Sequence, residues 1–437
     1  MVATLSRISR RDFLRSGLVF GASAAGLAAG YAAVPDVFAR AIYAGKAERV
    51  TNDKVLVMVQ LAGGNDGLQT VVPLTDRAYR DLRPQLSKAA EKALPITADI
   101  GLHSELKGLK ALFDQGKLAV VQGVGYPKPS LSHFDSIRVW ETADPERRQQ
   151  DGWLGKTIAQ NYDSAGHPLV GCACGATDVP GALRDLEASL TVVHSQQSFR
   201  FNGGADMERA LGALYTGTPG IYGALFDAAV ATARATVAQI KASAAGYVPM
   251  GSYAGDTASG AGGMAGGMAG GTAGRGRNPL AAALQLAAQL IVSGTGVKVI
   301  HATLGGFDTH EGQQQRHDNL MRALDQALSA FYADLAGHGM SDRVLVATWS
   351  EFGRRPRENA SGGTDHGTAA PVFLLGDTVK AGVYGDPPSL AKLDVTGNLG
   401  YSVDFRSVYQ EILASHLRVD AREVFGAAYE RLPVLTA

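Results

Sequence analysis

An acidic side chain and an imidazole follow one of the most apolar segments of the 437-residue chain. The segment VKVIHATL (297–304) leads into GGFDTH (305–310), which places Asp308 and His310 two residues apart. Glycine permits backbone conformations that other residues avoid, so the two glycines predict a sharp turn at the end of a buried strand. A carboxylate and an imidazole at such a turn fit either a solvated loop or two ligands of one metal ion.

Four more polar residues lie next to apolar segments, and each fits either a structural role or a role in a metal or catalytic site. Asp66 in GGNDG fits a turn or a metal ligand. Ser132 precedes a helical segment and fits an N-cap or a nucleophile at a helix N-terminus. Glu351 fits an ion pair with a nearby arginine or a metal ligand. His366 in GGTDHGTA fits a ligand that reaches the site from a loop.

Five continuous apolar segments predict the strands that position these residues. Runs without alternation are typical of strands buried on both faces of a mainly parallel sheet. The segments are KVLVMVQLA (54–62), KLAVVQGVG (117–125), VKVIHATL (297–304), RVLVATW (343–349) and PVFLLG (371–376). Helical patterns cover 132–143, 279–294, 319–339 and 404–417. This order predicts an α/β fold, a three-layer sandwich whose ligands bind outside the carboxyl ends of the strands.

The N-terminus predicts export. SRRDFLR (9–15) precedes a weakly apolar, Gly/Ala-rich segment, a combination typical of a twin-arginine signal. We expect residues 1–41 to be this signal, read by the twin-arginine export machinery, and residues 42–437 to be a periplasmic or secreted domain. No stable membrane insertion is expected after cleavage, because no second apolar run is long enough. A retained N-terminal anchor helix is the alternative.

Composition argues against a nucleic-acid-binding protein. The 41 basic and 41 acidic residues balance, so no nucleic-acid partner is expected. Segment 250–278 is rich in Gly and Ala, which predicts a flexible loop. The interval 160–245 has weak strand signals and indicates a cap or an extra subdomain. Cys172 and Cys174 fit two small apolar strand residues, with a CxC metal or redox site as the alternative.

Longer segments resemble the DUF1501 family of exported bacterial proteins. The resemblance rests on LAGGNDGLQTVVPL, SHFDSIRVWET, GGFDTH, ATWSEFGRRP, GGTDHGTAAPVFLLG and DFRSVYQEIL, and it covers most of the chain after the signal. The family is similar in layout to the alkaline phosphatase superfamily of phosphatases, sulfatases and phosphoglycerate mutases. This similarity implies an alkaline phosphatase-like fold.

The superfamily layout also implies roles for individual residues. Ser132 corresponds to the nucleophile, with Ser130 as an alternative. The implied metal-binding residues are Asp66 (or Asn65), Asp308, His310, Glu351 and His366. Two departures stand out: the strand-end Asp-His pair of the superfamily reads Glu351-Phe352 here, and one residue rather than three separates Asp308 from His310.

Together these features predict an exported metal-dependent hydrolase of phosphate or sulfate esters. One site of Asp308, His310 and His366 would hold a divalent metal such as Zn or Mn, which polarises the ester. Ser132 would attack, and Arg354 or its neighbours Arg355 and Arg357 would hold the anionic group of a small ester substrate. The alternative is a non-catalytic exported binding or assembly protein that keeps the fold with an incomplete metal site.

Overall fold

A computed structural model describes residues 52–164, 166–195, 221–253 and 278–436. The predicted export signal and most of the predicted flexible loop lie outside these residues. No helix in the described ranges combines the length and apolar character needed to cross a membrane.

The described strands and helices alternate along the chain. The strands are β1 (Val55–Ala62), β2 (Val71–Pro73), β3 (Leu94–Pro95), β4 (Ile100–Leu102), β5 (Leu118–Gly125), β6 (Gly171–Cys174), β7 (Thr191–Val193), β8 (Val299–Gly305), β9 (Val344–Trp349), β10 (Arg354–Glu358), β11 (Thr364–His366), β12 (Ala370–Leu375), β13 (Gly382–Tyr384) and β14 (Val403–Asp404). The helices are α1 (Gly67–Thr70), α2 (Arg77–Leu82), α3 (Lys107–Asp114), α4 (His133–Thr142), α5 (Trp153–Asn161), α6 (Ile221–Gly246), α7 (Pro279–Val292), α8 (Gln313–Gly337), α9 (Phe405–Glu411) and α10 (Ala421–Phe425).

A nine-stranded, mainly parallel sheet forms the centre of the protein, in the order β13-β5-β12-β9-β1-β8-β6-β7 with β14 paired to β5. Strand β1 runs parallel to β8 and β9, whereas β12 runs antiparallel to both of its neighbours, β5 and β9. All five predicted strands are confirmed. Because β12 is reversed, its first residue lies at the edge where β1, β5, β8 and β9 end, so the loop before it reaches that edge.

Helices cover both faces of the sheet, which confirms the predicted three-layer sandwich. Alternate residues of β1 point to opposite cores: Val57 and Val59 pack with α3, α7 and α8, and Leu56 and Met58 pack with α4, α5, α9 and α10. All four side chains are at most 1% exposed, and each contributes about 1.5–3 kcal/mol through burial. This two-sided burial explains why the strand segments are continuous apolar runs.

Some boundaries differ from the sequence predictions. Helix α8 begins at Gln313 rather than 319, because Gly312 turns the chain in the left-handed conformation just before it. The chain after α9 continues as a π-helix over Ile412–Leu417. Within 160–245, β6 and β7 extend the central sheet, and α6 packs on α7. The two cysteines of β6 are buried and free, with their sulfurs 3.8 Å apart in the core.

Candidate metal centre

Two glycine turns hold Asp308 at the ends of β1 and β8. Gly306 has a φ of +107°, which few other residues adopt, and the Phe307 amide donates to the Ala62 carbonyl. Gly63 has a φ of +118°, and a Cβ there would lie 2.4 Å from the Asp308 amide nitrogen. Only glycine fits at position 63, because the backbone of Phe307 and Asp308 packs directly against it at the carboxyl ends of the adjacent strands β1 and β8.

Asp308 lies at the centre of a cluster of histidines. Its Oδ1 lies 3.0 Å from Nε2 of His310 and 3.2 Å from Nε2 of His366, and these two nitrogens are 2.9 Å apart. His366 is the last residue of β11, where it pairs with Arg354 across the β10–β11 hairpin. The structure thus brings together the three residues that the sequence predicted as one metal site.

His133 is a further member that the sequence analysis missed. It is the first residue of α4, and its ring packs edge-on against His366 with centroids 4.4 Å apart. One ligand atom from each of His133, Asp308 and His366 can be chosen so that all three lie within 4.8 Å of one another. The available signal was its position directly after Ser132, at the start of the helix that follows β5.

The outer nitrogen of each ring is bonded away from the cluster. These Nδ1 contacts run from His133 to Glu351 at 2.9 Å, from His366 to the Leu131 carbonyl at 2.8 Å and from His310 to Asp365 at 3.3 Å. A carbonyl or carboxylate accepts the Nδ1 proton, which leaves Nε2 of a neutral ring as the ligand atom. Metal-binding histidines typically have such a partner on the second nitrogen.

With their outer nitrogens protonated, the rings leave room for a cation or extra protons between the inner nitrogens. Nε2 of His133 is buried and makes no hydrogen bond among the described residues, and it lies 3.6 Å from Asp308 Oδ1. Neutral His310 and His366 would direct two lone pairs at each other across 2.9 Å. Ligand atoms of a tetrahedral zinc site lie about 3.3 Å apart when bonds are about 2.0–2.1 Å long. The distances from Asp308 Oδ1 to the three Nε2 atoms, 3.0 to 3.6 Å, are close to this spacing.

The charges of the cluster set the pH dependence of metal binding. Burial alone would raise the pKa of Asp308, but the neighbouring rings of His133 and His366 and the Arg354 guanidinium outweigh it and hold that pKa well below its usual range. The carboxylates of Asp308 and Glu351 raise the pKa of His133 to about 9. A metal must displace that proton, so binding should strengthen as the pH rises toward 9. Imidazoles with one carboxylate suit Zn²⁺ and related ions better than Mg²⁺ or Ca²⁺.

Asp66 lies outside this cluster, in a buried ion pair. Both its oxygens accept from Arg83, at 2.9 and 2.7 Å, and its Oδ1 also accepts from the backbone amides that begin α1. Both side chains of the pair are fully buried. The carboxylate therefore binds Arg83, the N-terminus of α1 and Gln313. It pairs with a buried arginine and is not one of the clustered ligand atoms.

Glu351 lies behind His133 and orients it. The carboxylate is 1% exposed, and its Oε1 accepts from Nδ1 of His133 and from the Gly63 amide at 2.8 Å. Phe352, where the superfamily layout has a histidine, is also buried and packs on the rings of His133 and His366, with centroids 4.9 and 4.6 Å away. Both residues therefore support imidazoles from outside the group of clustered ligand atoms.

Arg354 holds Asp308 and has no exposed surface for a substrate. Its Nη2 donates to Asp308 Oδ1 at 2.7 Å, and its side chain is fully buried. The remaining N–H groups point to backbone carbonyls at Gly63, Gly64, Phe307 and Thr364 and to the His310 ring. The predicted role in binding an anionic group does not fit this geometry, because the guanidinium is committed to protein acceptors.

Ser132 stands at the N-cap of α4, next to the cluster. Its side chain is exposed and makes no capping hydrogen bond. The alternative, Ser130, donates its hydroxyl to Asp135 and accepts from the Ser132 amide, both at 3.2 Å. Of the two hydroxyls, the one at Ser132 is the more available for chemistry.

Known proteins match the chain at the level of family and distant structure. A family model described as a protein of unknown function, DUF1501, matches residues 53–432. No curated protein sequence matches the chain.

Three of the similar solved structures illustrate how distant the structural likeness is. The lipoteichoic acid synthase LtaP from Listeria monocytogenes is 12% identical, with 80% of this chain and 72% of that chain covered and a TM-score of 0.30. The periplasmic domain of EptC from Escherichia coli, in a complex with Zn, is 10% identical, with 76% and 74% covered and a TM-score of 0.34. The alkaline phosphatase from the Antarctic bacterium TAB5 is 12% identical, with 76% and 94% covered and a TM-score of 0.30. Scores this low carry no information about the chemistry of this chain. Its family follows from the sequence match over residues 53–432: the chain belongs to the DUF1501 family.

Proposed function

We propose that this protein is an exported, metal-dependent hydrolase of phosphate or sulfate esters. The observation that carries the proposal is the convergence of three histidine Nε2 atoms on one oxygen of Asp308. The Asp308 side chain is 50% exposed, so a solute can reach the cluster. A divalent cation held there would polarise an ester oxygen and lower the pKa of a bound hydroxyl or water.

Ser132 is the proposed nucleophile. Its hydroxyl is free of capping contacts at the N-terminus of a ten-residue helix, where unpaired amides and the helix dipole favour an anionic group. Its neighbours on both sides belong to the cluster: the Leu131 carbonyl binds His366, and His133 supplies a ligand atom. The backbone therefore keeps this hydroxyl close to the centre.

Arg355 is the proposed contact for the anionic group of the substrate. Unlike Arg354, Arg355 is partly exposed, and its Nε makes no hydrogen bond among the described residues. It follows Arg354 in β10. A hydrogen bond from Asn359 chiefly lowers the pKa of Asp365, the partner of His310, and the charge of Arg355 contributes to the same shift. The planar guanidinium suits the oxygens of phosphate or sulfate.

A screen of phosphate and sulfate monoesters with metal-loaded protein tests the proposal. We expect turnover by the wild type, and Ser132→Ala should keep the metal but lose hydrolysis. The control is Ser252→Ala, since Ser252 is exposed and its neighbour Met250 binds Asp334 near the far end of the 25-residue helix α8. Full metal occupancy without turnover of any ester would contradict the proposal and favour a binding or assembly protein.

A further inference from the structure

A cavity of about 280 Å³ lies between the central sheet and the three-stranded sheet β2-β4-β3. Its walls are mainly apolar and come from both sheets and from the segments next to them: Leu68, Val71, Pro73, Ile100, Pro371 and Leu399. Asp308 and the three histidines of the metal centre do not line it. A cavity of about 150 Å³ accommodates benzene, so this one has room for a ring or a short chain that carries polar groups.

The central sheet contributes an amide without a partner to this cavity. Gln122 lies in β5, where Leu118 and Val120 point to the same core as Ile100, so the alternation of the strand directs Gln122 to that side as well. Gln122 lines the cavity and is 6% exposed, and its side-chain amide makes no hydrogen bond among the described residues. A buried primary amide normally pairs both its donors and its acceptor. A hydroxyl or carbonyl group of a ligand would supply the missing partner.

The small sheet contributes two carboxylates at the exposed rim. Asp76 and Asp99 line the cavity, and both residues are exposed. Oδ1 of Asp99 accepts from the Thr75 hydroxyl at 2.9 Å, and Oδ1 of Asp76 accepts from the Ala78 amide at 2.8 Å. In the described part of the chain, neither carboxylate forms an ion pair. Because Thr75 precedes Asp76 and binds Asp99, the two negative charges lie near each other and favour a cation at the rim.

We propose that this cavity binds a small organic cation, an amine with an apolar body and a hydroxyl or carbonyl group at its other end. Each part of such a ligand matches one feature of the site. The polar group pairs with Gln122, the apolar body covers the walls, and the ammonium group contacts Asp76 and Asp99. The cavity is separate from the metal centre, so binding requires neither the metal nor ester hydrolysis.

Titrations of the mature protein with four related compounds, followed by ligand-detected NMR, test this inference. Tyramine has the ammonium group, the ring and the hydroxyl, whereas phenethylamine lacks the hydroxyl and 4-ethylphenol lacks the ammonium group. We expect tyramine to bind more tightly than either of them. 4-Hydroxyphenylacetate, an anion of similar shape, should not compete with tyramine. Raising the salt concentration from about 0.05 M to about 0.5 M screens exposed charges, so it should weaken the binding of tyramine and not that of 4-ethylphenol.

Substitutions assign each contact to its residue. Gln122→Leu should weaken tyramine about twofold to tenfold, the range for one hydrogen bond, without weakening phenethylamine. Asp76→Asn combined with Asp99→Asn should weaken both amines about fivefold to tenfold, the range for two exposed ion pairs, without weakening 4-ethylphenol. Asparagine keeps the N-cap and the bond to Thr75. Asp420→Asn is the matched control, because Asp420 is an exposed N-cap, of α10, that does not line the cavity.

Three results would overturn the inference. The first is wild-type protein that binds no tyramine, and the second is protein that binds 4-ethylphenol or the anion as tightly as tyramine. The third is an equal loss of tyramine binding in Asp420→Asn and in the double variant. Thermal unfolding of each variant shows whether it is folded, and the salt titration decides between a cationic and a neutral ligand in the wild type alone.

Discussion

The substitution Glu351→Gln shows whether this buried carboxylate binds the metal directly or acts through His133. Glu351 is 1% exposed and accepts from His133 Nδ1 at 2.9 Å and from the Gly63 amide at 2.8 Å. Glutamine has nearly the same shape, and its carbonyl oxygen can keep both hydrogen bonds. The substitution therefore removes the charge behind His133 while leaving the ring in place.

The expected loss of metal affinity follows from this position. Replacing a residue that binds the outer nitrogen of a metal-binding histidine typically costs 10–100-fold in affinity, which corresponds to about 1.4–2.8 kcal/mol. We expect a loss within this range, with metal still bound at saturation. Asp365→Asn is the matched comparison, because Asp365 contacts His310 at the longer distance of 3.3 Å and its side chain is 54% exposed. Its effect should be smaller.

Competition titration against a chromophoric chelator at one fixed pH measures both dissociation constants. Thermal unfolding of the metal-free variants shows whether either substitution damages the fold. An unchanged affinity in Glu351→Gln would refute the argument that this carboxylate acts through His133. Complete loss of metal from a folded Glu351→Gln variant would instead make Glu351 a direct ligand.

Three other outcomes are expected. Asp66→Asn should destabilise the fold by about 3–5 kcal/mol, because it leaves the buried Arg83 charge without its partner, while metal content measured by mass spectrometry stays unchanged. Burial lowers the pKa of His301 to about 4, of His317 to about 3 and of His416 to about 4. The unfolded chain protonates these groups near pH 6.5 and the folded chain only at lower pH. The free energy of unfolding, measured with urea, should therefore fall by about 2 kcal/mol per histidine as the pH is lowered from about 7 to about 5. Changing both arginines of SRRDFLR to lysine should block export. Normal periplasmic levels of this variant, measured by fractionation and immunoblotting, would contradict the prediction.

The strands and the turn that carries Asp308 were predictable because both depend on local sequence. Apolar runs mark strands buried on two faces, and the Gly-Gly motifs mark where the chain turns. The antiparallel direction of β12 could not be predicted from its segment, PVFLLG, because an apolar run carries no information about strand direction. It is nevertheless the reversal that brings the loop of His366 to the edge where the parallel strands end.

The partners of the acids could not be read from the sequence, because tertiary packing selects them. Asp66 and Glu351 both follow strands at the correct edge. Arg83 reaches Asp66 from the residue after α2, and His133 reaches Glu351 from the first turn of α4. Neither spacing forms a motif along the chain. The same reason explains why Arg354, which the sequence predicted to hold an anionic group, is a buried support for Asp308 in the structure.

Metal analysis and X-ray absorption at the metal edge show whether Asp308 and the histidines around it hold an ion. Mature protein is purified without chelators after expression with zinc and manganese supplied. We expect about one equivalent of metal, the count for a single site, with imidazole nitrogens and one carboxylate oxygen at about 2.0–2.2 Å. His133→Ala and His366→Ala should each lose it, since their Nε2 atoms lie within the cluster. Protein that stays metal-free under these conditions, or a bound metal without imidazole ligands, would contradict the account and leave Asp308 and His310 as a polar turn.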